Sequence, residues 1–196
     1  MTRLDQKLVG ARSLLALDYL TLVDAFTHDL IGMDDAPPAL SLLVRGKTKK
    51  WSADYEMIKR DGTRTLVMVR TVEWLNGRNG KRRAFRRDFL DAMKAASANA
   101  GREFELVTED EIRVQPRLYN ARLVQRHIVP YRALNEEFMA FETLQQLPMQ
   151  SSIDVLQERI GNRLDAFVLA VRLHWWGRLK LDERVKFTRQ STFVRT

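Results

Sequence analysis

An Asp-Gly pair set between two apolar runs constrains this chain more than any other feature. Asp61-Gly62 is a strong hairpin-turn signal, since a tight antiparallel turn needs the positive φ that Gly adopts freely. The run before it, KWSADYEMIKR at residues 50 to 60, reads as one strand. The run after it, RTLVMVRTVEWL at residues 64 to 75, reads as its partner.

Other segments fall around that hairpin. Residues 11 to 24 place Leu14, Leu17, Leu20 or Thr21, and Val23 near helical spacing, with Ser13 as N-cap or just inside. IGMDDAPPALSLLV reads as a loop and then a strand, because Pro37 and Pro38 stop a helix. Residues 76 to 83, NGRNGKRR, are polar, Gly-rich and basic, the pattern of a mobile surface loop. An amphipathic helix is expected over residues 84 to 100, with Phe85, Phe89 or Leu90, and Met93 on one side and Gly101 ending it. FELVT reads as a strand, and the Thr108 to Glu111 spacing matches a capping box. Residues 131 to 147 read as a helix closed by Pro148. Ser151 or Ser152 opens another, and Leu164 to Leu179 forms a longer apolar one carrying Trp175 and Trp176. The end, LKLDERVKFTRQSTFVRT, alternates like a hairpin. Helix, helix, hairpin is the order of a winged-helix module. Two domains are expected, residues 1–130 and 131–196.

Composition narrows the chemistry. There is no Cys, hence no disulfide, thiolate metal site or Cys nucleophile. No run of about 18 apolar residues exists, so no membrane span is expected. The first twenty residues lack a signal peptide's apolar stretch, and a cytoplasmic protein is expected. With 33 basic and 25 acidic residues the net charge is +8, which favours a polyanionic partner. An anionic membrane surface would be served equally well by charge alone. His28, His127 and His174 lack metal-ligand spacing.

Several short segments, in order, resemble the TnsA-type transposon endonuclease family, a branch of the PD-(D/E)xK nucleases. SLLALDYL is similar to that family's opening helix and WSADYEM to its Tyr-Thr-Pro-Asp-Phe strand. Pro37 sits where a Gln-Pro pair precedes a strand. LVMVRT is similar to the strand that reads Leu-Val-Glu-Val-Lys. FELVTEDEIR and LYNARLV resemble a later strand and helix, with Asn120 in register. No gap is needed from Ser13 to Arg70. The resemblance implies an α/β (α+β) fold, a restriction-endonuclease-like mixed sheet flanked by helices, followed by a small winged-helix-like C-terminal domain.

It also implies a site. Nucleases of that family hydrolyse a phosphodiester with a divalent metal, and magnesium takes hard oxygen ligands. Asp54 falls on the metal-binding Asp. The second carboxylate falls on Met68, whose thioether cannot replace it. The Lys falls on Arg70, which can hold a phosphate but is a poor proton shuttle. The helix Glu falls on Ala16. Glu56 shares a strand face with Asp54 and is the one candidate to complete a metal pair, although a solvated strand residue is the reading favoured for it. Asp18 turns about 200° away from Ala16 on the helix, and Glu73 points away from Arg70.

Arg78, Lys81, Arg82, Arg83, Arg86 and Arg87 form a run without acids, expected to meet DNA phosphates. Arg178, Lys180, Arg184, Lys186, Arg189 and Arg195 would put charge on a wing. The expectation is a DNA-binding subunit of a transposition or mobile-element machinery, partnered by a DDE transposase and an AAA+ regulator, with cleavage weak or lost. An active endonuclease with a rearranged site, using Mg2+, is one alternative. A phage head-completion protein of the same fold is the other.

Overall fold

The computed structural model describes residues 8–128 and 134–196. Contacts gather into two compact units. One holds the chain up to Leu20 together with Asp29–Arg113, and the other holds Thr21–His28 together with Val114–Thr196. The expected boundary at residue 130 lies outside the described residues, as do the first seven residues and the start of the helix expected from 131. The division between the units falls earlier, after Arg113.

The first unit begins with helix α1 (Leu14–Phe26), whose last residues belong to the second unit. Ser13 caps it, its Oγ accepting from the Ala16 N–H at 3.0 Å. Then come β1 (Leu30–Asp34), β2 (Leu40–Val44), β3 (Lys47–Trp51), β4 (Tyr55–Lys59), β5 (Arg64–Val69), the short helix α2 (Val72–Asn76), α3 (Gly80–Asn99), β6 (Glu103–Val107) and α4 (Glu109–Ile112). The main sheet runs β1-β4-β5-β6. Its first two pairings are antiparallel and β5 with β6 is parallel, so the sheet is mixed. The chain returns from β5 to β6 through α3, as a parallel crossover requires. This is the mixed sheet flanked by helices that was expected.

The expected hairpin joins β4 to β5. Gly62 takes φ +86°, and the Asp61 carboxylate accepts from the Thr63 N–H at 2.9 Å. Neither expected strand is continuous, however. Residues 50 to 60 bend at Asp54, which separates β3 from β4. Residues 64 to 75 leave the sheet after Val69. Thr71 then caps α2, accepting from the Trp74 N–H at 3.1 Å. A Thr three residues before a Trp carries no strand–helix signal strong enough to override the apolar run around it.

Side chains alternate along β4 and β5, and this assigns the two faces of the sheet. Tyr19 of α1 donates to the Met57 sulfur at 3.3 Å and stacks on Tyr55, ring centroids 6.1 Å apart. On the other face Phe104 of β6 packs with Met93 and Phe89 of α3. Leu42, Val44, Leu40 and Trp51 of the β2–β3 hairpin join this cluster. Burying each such side chain is worth roughly 1.5–3 kcal/mol. This packing holds the hairpin, which forms a two-stranded sheet of its own, on α3.

The second unit contains α5 (Arg117–His127), α6 (Leu134–Gln145), β7 (Gln150–Ser152), α7 (Ile153–Ile160), α8 (Ala166–Trp175), β8 (Leu179–Leu181) and β9 (Thr192–Arg195). Its sheet runs β7-β9-β8, all antiparallel. From α6 onward this is the topology of a winged helix. The expected helix from Leu164 is shorter, because Asp165 caps it by accepting from the Phe167 N–H at 2.9 Å. Asn120 of α5, fully buried, ties down the β8–β9 loop. It donates to the carbonyls of Glu183 at 3.1 Å and Val185 at 2.8 Å, and accepts from the Phe187 N–H at 3.0 Å. Asn120→Ala is expected to cost about 2 kcal/mol through the buried groups left unpaired, read as a lower urea midpoint with an unchanged m-value.

Candidate functional site

Asp54 sits at the bend between β3 and β4, where its N–H donates to the Val67 carbonyl at 2.9 Å. Its Oδ2 accepts two hydrogen bonds, from the Val69 N–H at 2.8 Å and from Arg70 Nη1 at 2.5 Å. Arg70 follows β5 directly. Its backbone is fixed by donation to the Val107 carbonyl at 3.0 Å, and its Nη1 also reaches the Val69 carbonyl at 2.6 Å. The guanidinium lies 5.6 Å from the ring of Trp51 and 5.6 Å from the ring of Trp74. Carboxylate, guanidinium and two indoles therefore form one closed group, with Asp54 13% and Arg70 23% exposed. A charge-assisted bond of this kind is stronger than a neutral one, and each cation–π contact adds roughly 0.5–1 kcal/mol.

The remaining expected members are elsewhere. Glu56 is buried rather than solvated. It is 2% exposed, and its Oε1 accepts from Arg64 Nε at 2.9 Å and Arg102 Nε at 2.7 Å. The reason is topological: the parallel β5–β6 pairing brings Arg102, at the start of β6, over the start of β5, where Arg64 lies. Nothing in β4 by itself announces either partner. Met68 is fully buried on the same face of β5 as Arg70. Ala16 is buried on α1.

These donors do not fit a magnesium site. Magnesium requires several oxygen ligands in near-octahedral array. Here one carboxylate already holds a guanidinium, a second is tied to two others, and the third position offers sulfur. Among the described residues no three His, Asp or Glu side chains converge.

The basic run is mostly helical rather than a loop. Asn79 caps α3 by accepting from the Arg82 N–H at 2.9 Å, so Lys81, Arg82, Arg83, Arg86 and Arg87 lie in its first turns. Arg83 donates to the Asn76 carbonyl at 3.0 Å and Arg86 to the Glu73 carbonyl at 3.4 Å, closing the end of α2. Arg86 also lies 4.8 Å from the Trp74 ring. Trp74 thus joins Arg70 to Arg86, and Arg70 is continuous with the start of α3. Arg78, Lys81, Arg82 and Arg87 are exposed and make no ion pair among the described residues. Cations at a helix N-terminus oppose the helix dipole, an arrangement that a bound anion would relieve.

Of the basic residues named in the second unit all but Arg195 are exposed, and four of the six have partners. Arg189 pairs with Asp165 at 2.8 Å, and Arg195 donates to the carbonyls of Leu144 at 3.1 Å and Gln145 at 2.7 Å. Arg178 lies over Phe141 and Lys186 over Tyr119. Lys180 and Arg184 are exposed and make no ion pair among the described residues. Helix α8 occupies the place that reads DNA in winged-helix modules, yet seven of its ten residues are buried. His174 is fully buried within it and accepts from the Leu181 N–H at 3.3 Å, which makes it a core residue.

Trp51, Trp74, Arg64 and Arg102 were missed by sequence reasoning. The two tryptophans stand three residues before Asp54 and four after Arg70, but aromatic residues in apolar runs read as core. No protein-family model matches the chain, and no curated protein matches it.

Proposed function

We propose that this chain is a DNA-binding, TnsA-like subunit of a transposition or mobile-element machinery that has exchanged strand cleavage for DNA holding. The observation that carries this reading is the continuous group Asp54–Arg70–Trp74–Arg86. A guanidinium occupies the carboxylate that a hydrolase would give to its metal, and the same tryptophan leads to the basic start of α3. A fixed cation there can hold a phosphate, but it cannot activate water. The net charge of +8 supplies long-range attraction for the same partner. A DDE transposase and an AAA+ regulator are the protein partners this reading entails, the first to cut and the second to select the target.

Binding is tested by anisotropy of a labelled duplex as a function of salt. Wild-type affinity is expected to fall steeply with salt. Replacing Arg78, Arg82 and Arg87 with Ala together takes away three cations that can meet phosphates. The log–log slope should then become shallower by about 0.9 for each phosphate no longer neutralised. Wild-type protein without salt-sensitive affinity would defeat the reading.

A further inference from the structure

From Ala36 to Ala53 the chain has three basic residues besides Arg45 and no acid; all three, Lys47, Lys49 and Lys50, stand on β3 itself. These three are exposed and make no ion pair among the described residues. Lys47 stands across from Val44, Lys49 across from Leu42 and Lys50 across from Ser41. Leu42 and Val44 are buried against Met93, so the hairpin lies along α3 and is held there. Its turn is tight, with Arg45 at φ +51° and Gly46 at φ +74°. Both central residues in the left-handed region give the twist that two-residue hairpins prefer.

The tip is also fastened. Arg45 Nε donates to Asp88 Oδ2 at 2.7 Å, and its guanidinium lies 5.5 Å from the Phe85 ring. Lys81 precedes Phe85 by four residues and Asp88 by seven, which puts all three on one flank of α3. The hairpin tip and Lys81 therefore share a side of the first unit. Asp88 matches the charge of Arg45 and leaves the lysines unmatched.

We propose that the β2–β3 hairpin is a second phosphate-binding element, joined with the start of α3 in one contact surface for duplex DNA. This rests on the DNA-binding reading above and extends it to residues outside the Arg78–Arg87 run. Lys50 points to the opposite face of the ribbon from Lys47 and Lys49. Lys47 and Lys49 share the face of Leu42 and Val44, which turns toward α3, so they and the basic start of that helix can be reached by one duplex. Lysines on an edge strand also deter pairing between molecules. That role alone predicts a variant that self-associates while keeping its DNA affinity.

The test uses the full chain, a fluorescein-labelled duplex of about 30 base pairs and salt from about 50 to 200 mM. Lys47→Ala, Lys49→Ala and Lys50→Ala are combined in one variant, and the same positions as Arg in another. The Ala variant should bind at least about tenfold more weakly at the lowest salt, with a slope shallower by about 2–3. The Arg variant should keep both values, and circular dichroism should show all three proteins folded. If the Ala variant keeps wild-type affinity and slope, the hairpin proposal is overturned, whether or not it self-associates. Should that happen while the Arg78, Arg82 and Arg87 variant weakens, DNA binding stands without the hairpin. Wild-type protein that ignores DNA but binds phosphatidylserine vesicles overturns both.

Discussion

Glu56→Ala is expected to lower the free energy of unfolding by about 3–5 kcal/mol, the range for breaking a buried ion pair from one side. The carboxylate is 2% exposed and holds Arg64 and Arg102 at once, so its removal strands two guanidinium groups at the β4–β5–β6 end of the sheet. Arg64 is nearly half exposed and can turn to solvent. Arg102 is 17% exposed and cannot do so cheaply, so most of the penalty falls there. Arg102→Ala should accordingly cost more than Arg64→Ala. Urea unfolding of the three variants checks the order. A metal-binding Glu56 would give a different pattern: stability of the wild type would rise with added magnesium and fall with chelator.

Arg70→Ala should cost about 2–4 kcal/mol. The charge-assisted bond to Asp54 contributes about 1.5–3 kcal/mol, and two cation–π contacts contribute roughly 0.5–1 kcal/mol each. These terms overlap, and partial exposure of the pair reduces them. A double-mutant cycle with Asp54→Ala separates the pair from the indoles, and a coupling of about 1.5 kcal/mol or more is expected. Arg70→Lys should recover part of the coupling but little of the packing on Trp51 and Trp74, because an ammonium lacks the planar stacking face. Zero coupling would mean that Asp54 is free for other ligands.

Local signals were legible in the sequence because their physics is local. Asp61-Gly62 turned where a positive φ was needed, Ser13 capped α1, and Thr108 met Glu111, whose carboxylate accepts from the Thr108 N–H at 2.8 Å. Asp54 and Arg70 are brought together because β4 and β5 are antiparallel neighbours, which the turn already dictated. What escaped depends on pairings between distant segments. Glu56 reads as a solvated strand residue until β6 delivers Arg102 beside it. The expected strand from Lys50 to Arg60 gave no sign of the separate β2–β3 hairpin, which Arg45 and Gly46 turn at positive φ. NGRNGKRR reads as a loop because Gly and Asn dominate it, yet Asn79 begins a helix there.

Incubating supercoiled plasmid with the purified protein and either magnesium or manganese tests the lost chemistry most directly, with Asp54→Ala run in parallel. Wild type and variant should leave equal amounts of intact supercoil, because Arg70 already holds the carboxylate a metal would need. Nicking by the wild type that vanishes in Asp54→Ala would contradict this, and would mean that the guanidinium yields its place to a catalytic cation.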